Sequence, residues 1–169
     1  MTHPHAPRTT LPRARRDVLL GLAAALLVAG ASGCGGPETT EPPPSGGCTD
    51  DPRVQQYLVG MQGTSEDGSI TLEFLDADPS PPGKGDNVWK IEVTSPSGPV
   101  DGATIAVDAF MPDHGHSSTV VPDVTPLGDG VYVLDPIDLF MPGVWEITID
   151  VAPPGGTVQA VLFTFCVIG

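Results

Sequence analysis

From residue 57 onward, apolar and polar residues alternate in short runs, and prolines or glycines cut each run before it reaches helical length. In Val88-Trp89-Lys90-Ile91-Glu92-Val93, an extended chain puts Trp89, Ile91 and Val93 on one face and Val88, Lys90 and Glu92 on the other. Trp145-Glu146-Ile147-Thr148-Ile149-Asp150-Val151 repeats the arrangement. A period of two marks strands with one buried face, so both tryptophans are expected in a core. Candidate strands are Tyr57–Met61, Ile70–Leu75, Asn87–Ser95, Ala103–Met111, Val131–Ile137, Gly143–Val151 and Val158–Val167, with a weaker one at Thr119–Val124. Short strands separated by turn signals predict an all-β domain, an immunoglobulin-like antiparallel β-sandwich of about seven strands. The stretch Asp76–Gly85, with Pro79, Pro81, Pro82 and Gly83, reads as a turn.

The chain before residue 48 has no such pattern. Arg8, Arg13, Arg15 and Arg16 precede an apolar run from Val18 to Ala31. That run is shorter than the roughly 20 residues needed to span a bilayer, which favours a secretion signal. Residues 1–33 are therefore expected to be a signal peptide. Ala31-Ser32-Gly33-Cys34 resembles a lipoprotein cleavage site, making Cys34 the expected lipidation site and a membrane anchor. Ala29-Gly30-Ala31 is also an acceptable site for the ordinary signal peptidase, and Arg15-Arg16 leaves general and twin-arginine export both open. Residues 34–47, rich in proline and glycine, cannot bury a core and read as a tether. Glycine rather than aspartate after Cys34 favours the outer membrane in a Gram-negative cell. The expected organisation is signal peptide 1–33, linker 34–47 and folded domain 48–169, with the domain in the periplasm or at the cell surface.

Cysteine number fits this picture. With Cys34 lipidated, Cys48 and Cys166 remain to form a disulfide that joins the domain's ends in an oxidising compartment. From residue 34 onward only Arg53, Lys84 and Lys90 face twenty acidic residues, a net charge near −17. Such a surface repels nucleic acid, so nucleic-acid binding is excluded. The protein partner, if any, is unspecified.

Candidate chemistry concentrates in two segments. Residues 110–116 are Phe-Met-Pro-Asp-His-Gly-His, and residues 140–143 are Phe-Met-Pro-Gly. His114 and His116 are the only histidines beyond residue 5, and Met111 and Met141 are two of four methionines. Pro112 cannot donate to a ladder and Gly115 is free to take positive φ, so Asp113–Gly115 is expected to turn; imidazoles at i and i+2 of an extended segment also point to the same side. Imidazole binds both copper oxidation states, and thioether sulfur suits Cu(I). Met111, His114, His116 and Met141 are therefore the candidate metal ligands, with copper ahead of zinc because no zinc-ligand spacing is present. Each residue alone has a plainer reading: methionine as core filler, histidine as a loop residue bonded to backbone or to Asp113. A calcium loop at Asp76, Asp78, Asp86 and Asn87 lacks EF-hand spacing. No nucleophile elbow is present, and no catalytic residue is assigned.

Residues from about 57 to 168 resemble the YtkA-like family of bacterial extracytoplasmic domains, relatives of the FixH-type segment. The resemblance is carried by Gly85-Asp86-Asn87-Val88-Trp89, Gly102-Ala103, Met111-Pro112-Asp113-His114-Gly115-His116, Gly130-Val131-Tyr132 and Met141-Pro142-Gly143-Val144-Trp145-Glu146. It implies an immunoglobulin-type sandwich and an association with copper handling or membrane-oxidase assembly, but supplies no ligand set. The expected function is a non-catalytic, lipid-anchored extracytoplasmic domain binding copper through the His/Met residues. The alternative is a structural or protein-interaction sandwich at the cell envelope with no metal.

Overall fold

The computed structural model describes residues 47–169; the expected signal peptide, Cys34 and the linker up to residue 46 lie outside the described residues. After a 3₁₀ turn at Cys48–Asp50 come β1 (Gln62–Thr64), β2 (Thr71–Asp78), β3 (Gly85–Ser95), β4 (Gly98–Pro99) and β5 (Thr104–Met111). β6 (His116–Ser117), β7 (Asp123–Gly128), β8 (Val131–Leu139), β9 (Gly143–Ala152) and β10 (Gln159–Val167) follow. No helix among the described residues is long and apolar enough to cross a membrane.

One sheet runs β1-β2-β3-β8-β7, with β4 added to β3, and the other runs β10-β9-β5-β6. Every pairing is antiparallel. The orders β2-β3-β8-β7 and β10-β9-β5 match strands A-B-E-D and G-F-C of the immunoglobulin sandwich. The fold is the one the alternating pattern implies.

Alternation sets the core. Trp89, Ile91 and Val93 of β3 have no exposed surface, nor do Ile147, Ile149 and Val151 of β9. Phe74 of β2 lies edge-on to Trp89 at 5.1 Å and to Phe163 at 4.9 Å. Each large apolar side chain so buried contributes roughly 1.5–3 kcal/mol before entropy is counted. Gly63 admits this packing: a Cβ there would fall 2.7 Å from the Phe163 ring.

Two expected strands move. Tyr57–Met61 is not a strand, because Gly60 takes φ +86 and the Met61 N–H turns back to the Leu58 carbonyl at 3.0 Å. Strand register with β2 begins at Gln62, although the Gly60 N–H and the Met61 carbonyl already bond to Phe74, at 2.7 and 3.0 Å. The weak Thr119–Val124 is displaced to Asp123–Gly128, because Asp129-Gly130 supplies a two-residue hairpin with both φ angles positive.

Asn87 is fully buried and its amide donates to the carbonyls of Gly83 and Gly85, at 2.8 and 2.7 Å. Its carbonyl accepts from the Gly83 N–H at 2.8 Å. The side chain pins the proline-rich turn and is not free to join Asp76, Asp78 and Asp86 around a cation. Cys48 and Cys166 form a disulfide that bridges 118 positions. Beyond it, Gln55 covers part of the open edge of β10: its N–H donates to the Thr164 carbonyl at 2.8 Å, and its side-chain oxygen accepts from the Thr164 N–H at 3.0 Å.

Candidate metal centre

β5 ends where Pro112, lacking an N–H, stops the ladder. The chain reverses through Pro112-Asp113-His114-Gly115 and returns as β6, with Met111 and His116 as register partners. The N–H groups of His114 and Gly115 both donate to the Met111 carbonyl, at 3.2 and 2.8 Å, and Gly115 takes φ +69. The turn expected over Asp113–Gly115 is therefore a tight hairpin, and the His-Gly-His stretch is not extended. His114 stands exposed in the turn, and His116 opens the return strand half-buried. Register partners present their side chains on one face, so His116 is on the same face as Met111. The two imidazole centroids are nevertheless 5.6 Å apart, tilted by 58°.

The second Phe-Met-Pro segment links β8 to β9 and meets the first. Phe140 stacks on His116 at 5.3 Å, and Trp145 stands edge-on to Phe140 at 5.3 Å. The Trp145 indole N–H donates to the Met141 carbonyl at 2.9 Å. Gly143 makes room for the first segment, since a Cβ there would fall 2.6 Å from the Met111 methyl. His116, Phe140, Trp145 and the Met141 backbone are thus gathered at one end of the sandwich.

The four candidate ligands differ in access. Met111 has no exposed surface and is part of the core, whereas Met141 is half-buried against it. His116 Nδ1 is enclosed and has no hydrogen-bond partner among the described residues, an uncommon state for a buried polar atom. Asp113 is held by Arg53, which donates to both its oxygens at 2.9 Å. Arg53 also donates to Asp51, at 2.9 and 2.7 Å. Those side-chain hydrogen bonds hold Asp51 near pKa 2 and push Asp113 below the usual carboxylate range. Sequence reasoning passes over Arg53 as a site component; its only signal is rarity, as one of three cations beyond residue 33.

Among the described residues, no group of three or more His, Cys, Asp or Glu side chains is arranged to hold a metal ion. A site with more than two protein donors here would have to draw on thioether sulfur. Metal–imidazole bonds run about 2.0–2.1 Å, which sets the centroids of two rings sharing one ion roughly 5–6 Å apart. The observed ring separation falls in that interval.

The YtkA-like family profile matches residues 65–150, a span holding both Phe-Met-Pro segments and both histidines. The chain belongs to the YtkA-like family. No curated protein sequence matches it. Among solved structures, this YtkA-like domain is similar to a DUF4426 family protein of Pseudomonas aeruginosa, at 15% identity and a TM-score of 0.46, covering 68% of this chain and 96% of that one. It is also similar to a copper-bound variant of FetP from uropathogenic Escherichia coli, at 17% identity and a TM-score of 0.44, covering 69% of this chain and 99% of the other.

Proposed function

We propose that this YtkA-like domain is a non-catalytic, exported domain that binds one copper ion at the turn between β5 and β6. The observation that carries the reading is the pair of imidazoles, His114 and His116, with ring centroids 5.6 Å apart and the Nδ1 of His116 enclosed and without a hydrogen-bond partner among the described residues. His114 and His116 supply the borderline donors, and Met141 the accessible soft one. Met111 lies behind them in the core and would reach an ion only if the hairpin opened. Thioether and imidazole together favour Cu(I) over hard cations. Copper is cargo here, held without turnover, in metal handling or oxidase assembly. Export is supported by the signal-like N-terminus and by a disulfide suited to an oxidising compartment. Lipid at Cys34 would anchor the domain to a membrane, with the cargo's donor or acceptor as its protein partner.

Titration of the full chain with Cu(I) against a chromophoric chelator tests this. Affinity well tighter than about 1 μM is expected, falling at least about tenfold in His114→Ala/His116→Ala. Wild-type affinity no tighter than that, or none lost in the double variant, removes the reading. A structural or interaction domain without metal is the second reading. It is favoured by the enclosure of Met111 against Gly143 and the bond from Trp145 to Met141, which give the paired segments a packing role of their own.

A further inference from the structure

Arg53 sits in a short segment that is anchored on both sides. Before it, the Cys48–Cys166 disulfide ties the chain to β10, and the Asp51 N–H returns to the Cys48 carbonyl at 3.1 Å. After it, Gln55 is bonded twice to Thr164. Asp51 fixes the guanidinium from within the segment, accepting from Nε and Nη2, and also accepts the Arg53 N–H at 2.9 Å. The remaining edge of the guanidinium reaches 60 positions along the chain to grip both oxygens of Asp113.

Asp113 is the residue before His114, in a turn whose internal hydrogen bonds are the two N–H groups that share the Met111 carbonyl. Among the described residues, the hydrogen bonds to its carboxylate come from Arg53 alone. A planar fork holding a planar carboxylate fixes direction as well as distance, which an ammonium cannot do. The contact also occupies a hard oxygen donor on the residue next to His114. Left free, that carboxylate would suit zinc or other harder divalent ions better than Cu(I).

Resting on the copper reading above, we propose that Arg53 is a positioning and specificity-determining residue for the metal turn. It fixes the turn that carries His114 against the disulfide-clamped N-terminal segment, and it withholds the Asp113 carboxylate from the ion. Copper selectivity thus depends on a residue that is not itself a ligand.

The test compares the full chain with Arg53→Ala, Arg53→Lys and Arg53→Ala/Asp113→Asn. Cu(I) and Zn(II) affinities are read by chelator competition, and amide hydrogen exchange is read at residues 113–115. Arg53→Ala should lose about three- to fivefold in Cu(I) affinity, the scale of an exposed ion-pair network. It should gain Zn(II) affinity and exchange faster at His114 and Gly115. Arg53→Lys should recover only part of the exchange protection, and adding Asp113→Asn should abolish the Zn(II) gain while leaving the turn loose. Wild-type exchange in Arg53→Ala overturns the anchoring. A loosened turn with an unchanged Cu(I) to Zn(II) ratio overturns the specificity role. A wild-type chain that binds no copper, with a turn that still loosens in Arg53→Ala, places the failure in the copper reading instead.

Discussion

Gly143 leaves the space beside it that the Met111 methyl occupies. Gly143→Ala adds a Cβ 2.6 Å from the Met111 methyl at φ +140, and should destabilise the domain by about 1–3 kcal/mol in urea unfolding. The two methionines should separate under substitution by leucine. Met111→Leu, a swap of similar volume in a closed core site, should cost less than about 1.5 kcal/mol and leave Cu(I) affinity unchanged. Met141→Leu should leave stability unchanged and weaken Cu(I) binding, as read by chelator competition. Equal losses of affinity in both would mean that the hairpin opens to expose Met111. Residue types name the donors in advance, because soft and borderline ligand chemistry belongs to the side chain itself. Access does not follow from type: Met111 and Met141 share the same tripeptide context, yet one is enclosed and the other half-buried.

At the scale of elements, the β5–β6 turn depends on a partner remote in sequence. The pKa of Asp51, held near 2 by its hydrogen bonds from Arg53, gives that dependence a pH signature. A carboxylate whose folded pKa is depressed adds stability that is complete above its unfolded value, about 3.8. That stability is lost as the pH falls through the folded value. Asp113, lowered by the same guanidinium, works in the same direction. Unfolding of wild type and Arg53→Ala followed from pH 6 to pH 2 should therefore show a stability difference that holds above about pH 5 and closes towards pH 2. A difference that persists at pH 2 would assign the effect to packing of the arginine stem instead. Strand identity is legible at this scale where alternation is strong, as in Val88–Val93 and Trp145–Val151. It fails at β7, which is mostly exposed and carries little alternation, although Asp129-Gly130 marks the hairpin that follows. Tyr57–Met61 fails for the opposite reason. Its residues are apolar, but Gly60 bends the backbone, and Tyr57 packs edge-on to Phe74 and Phe165 without joining a ladder.

For the whole molecule, the Cys48–Cys166 bond closes nearly the entire domain. A structural disulfide is typically worth about 2–4 kcal/mol. Cys48→Ser/Cys166→Ser should lower the unfolding free energy by that amount, and its earliest increase in amide exchange should appear along residues 48–55 and β10. An unchanged unfolding free energy would show that the edge bonds of Gln55 suffice. The sequence by itself determined the strands around both tryptophans, the faces they bury, the sandwich class and the supply of two imidazoles and two thioethers. Each of these follows from local geometry or from the chemistry of single side chains. Only the tertiary structure decided that Phe140 covers His116, that Met111 is shut in behind Gly143, and that Arg53 grips the turn from 60 positions away. Those contacts depend on the order in which strands pair across two sheets, which no local period encodes.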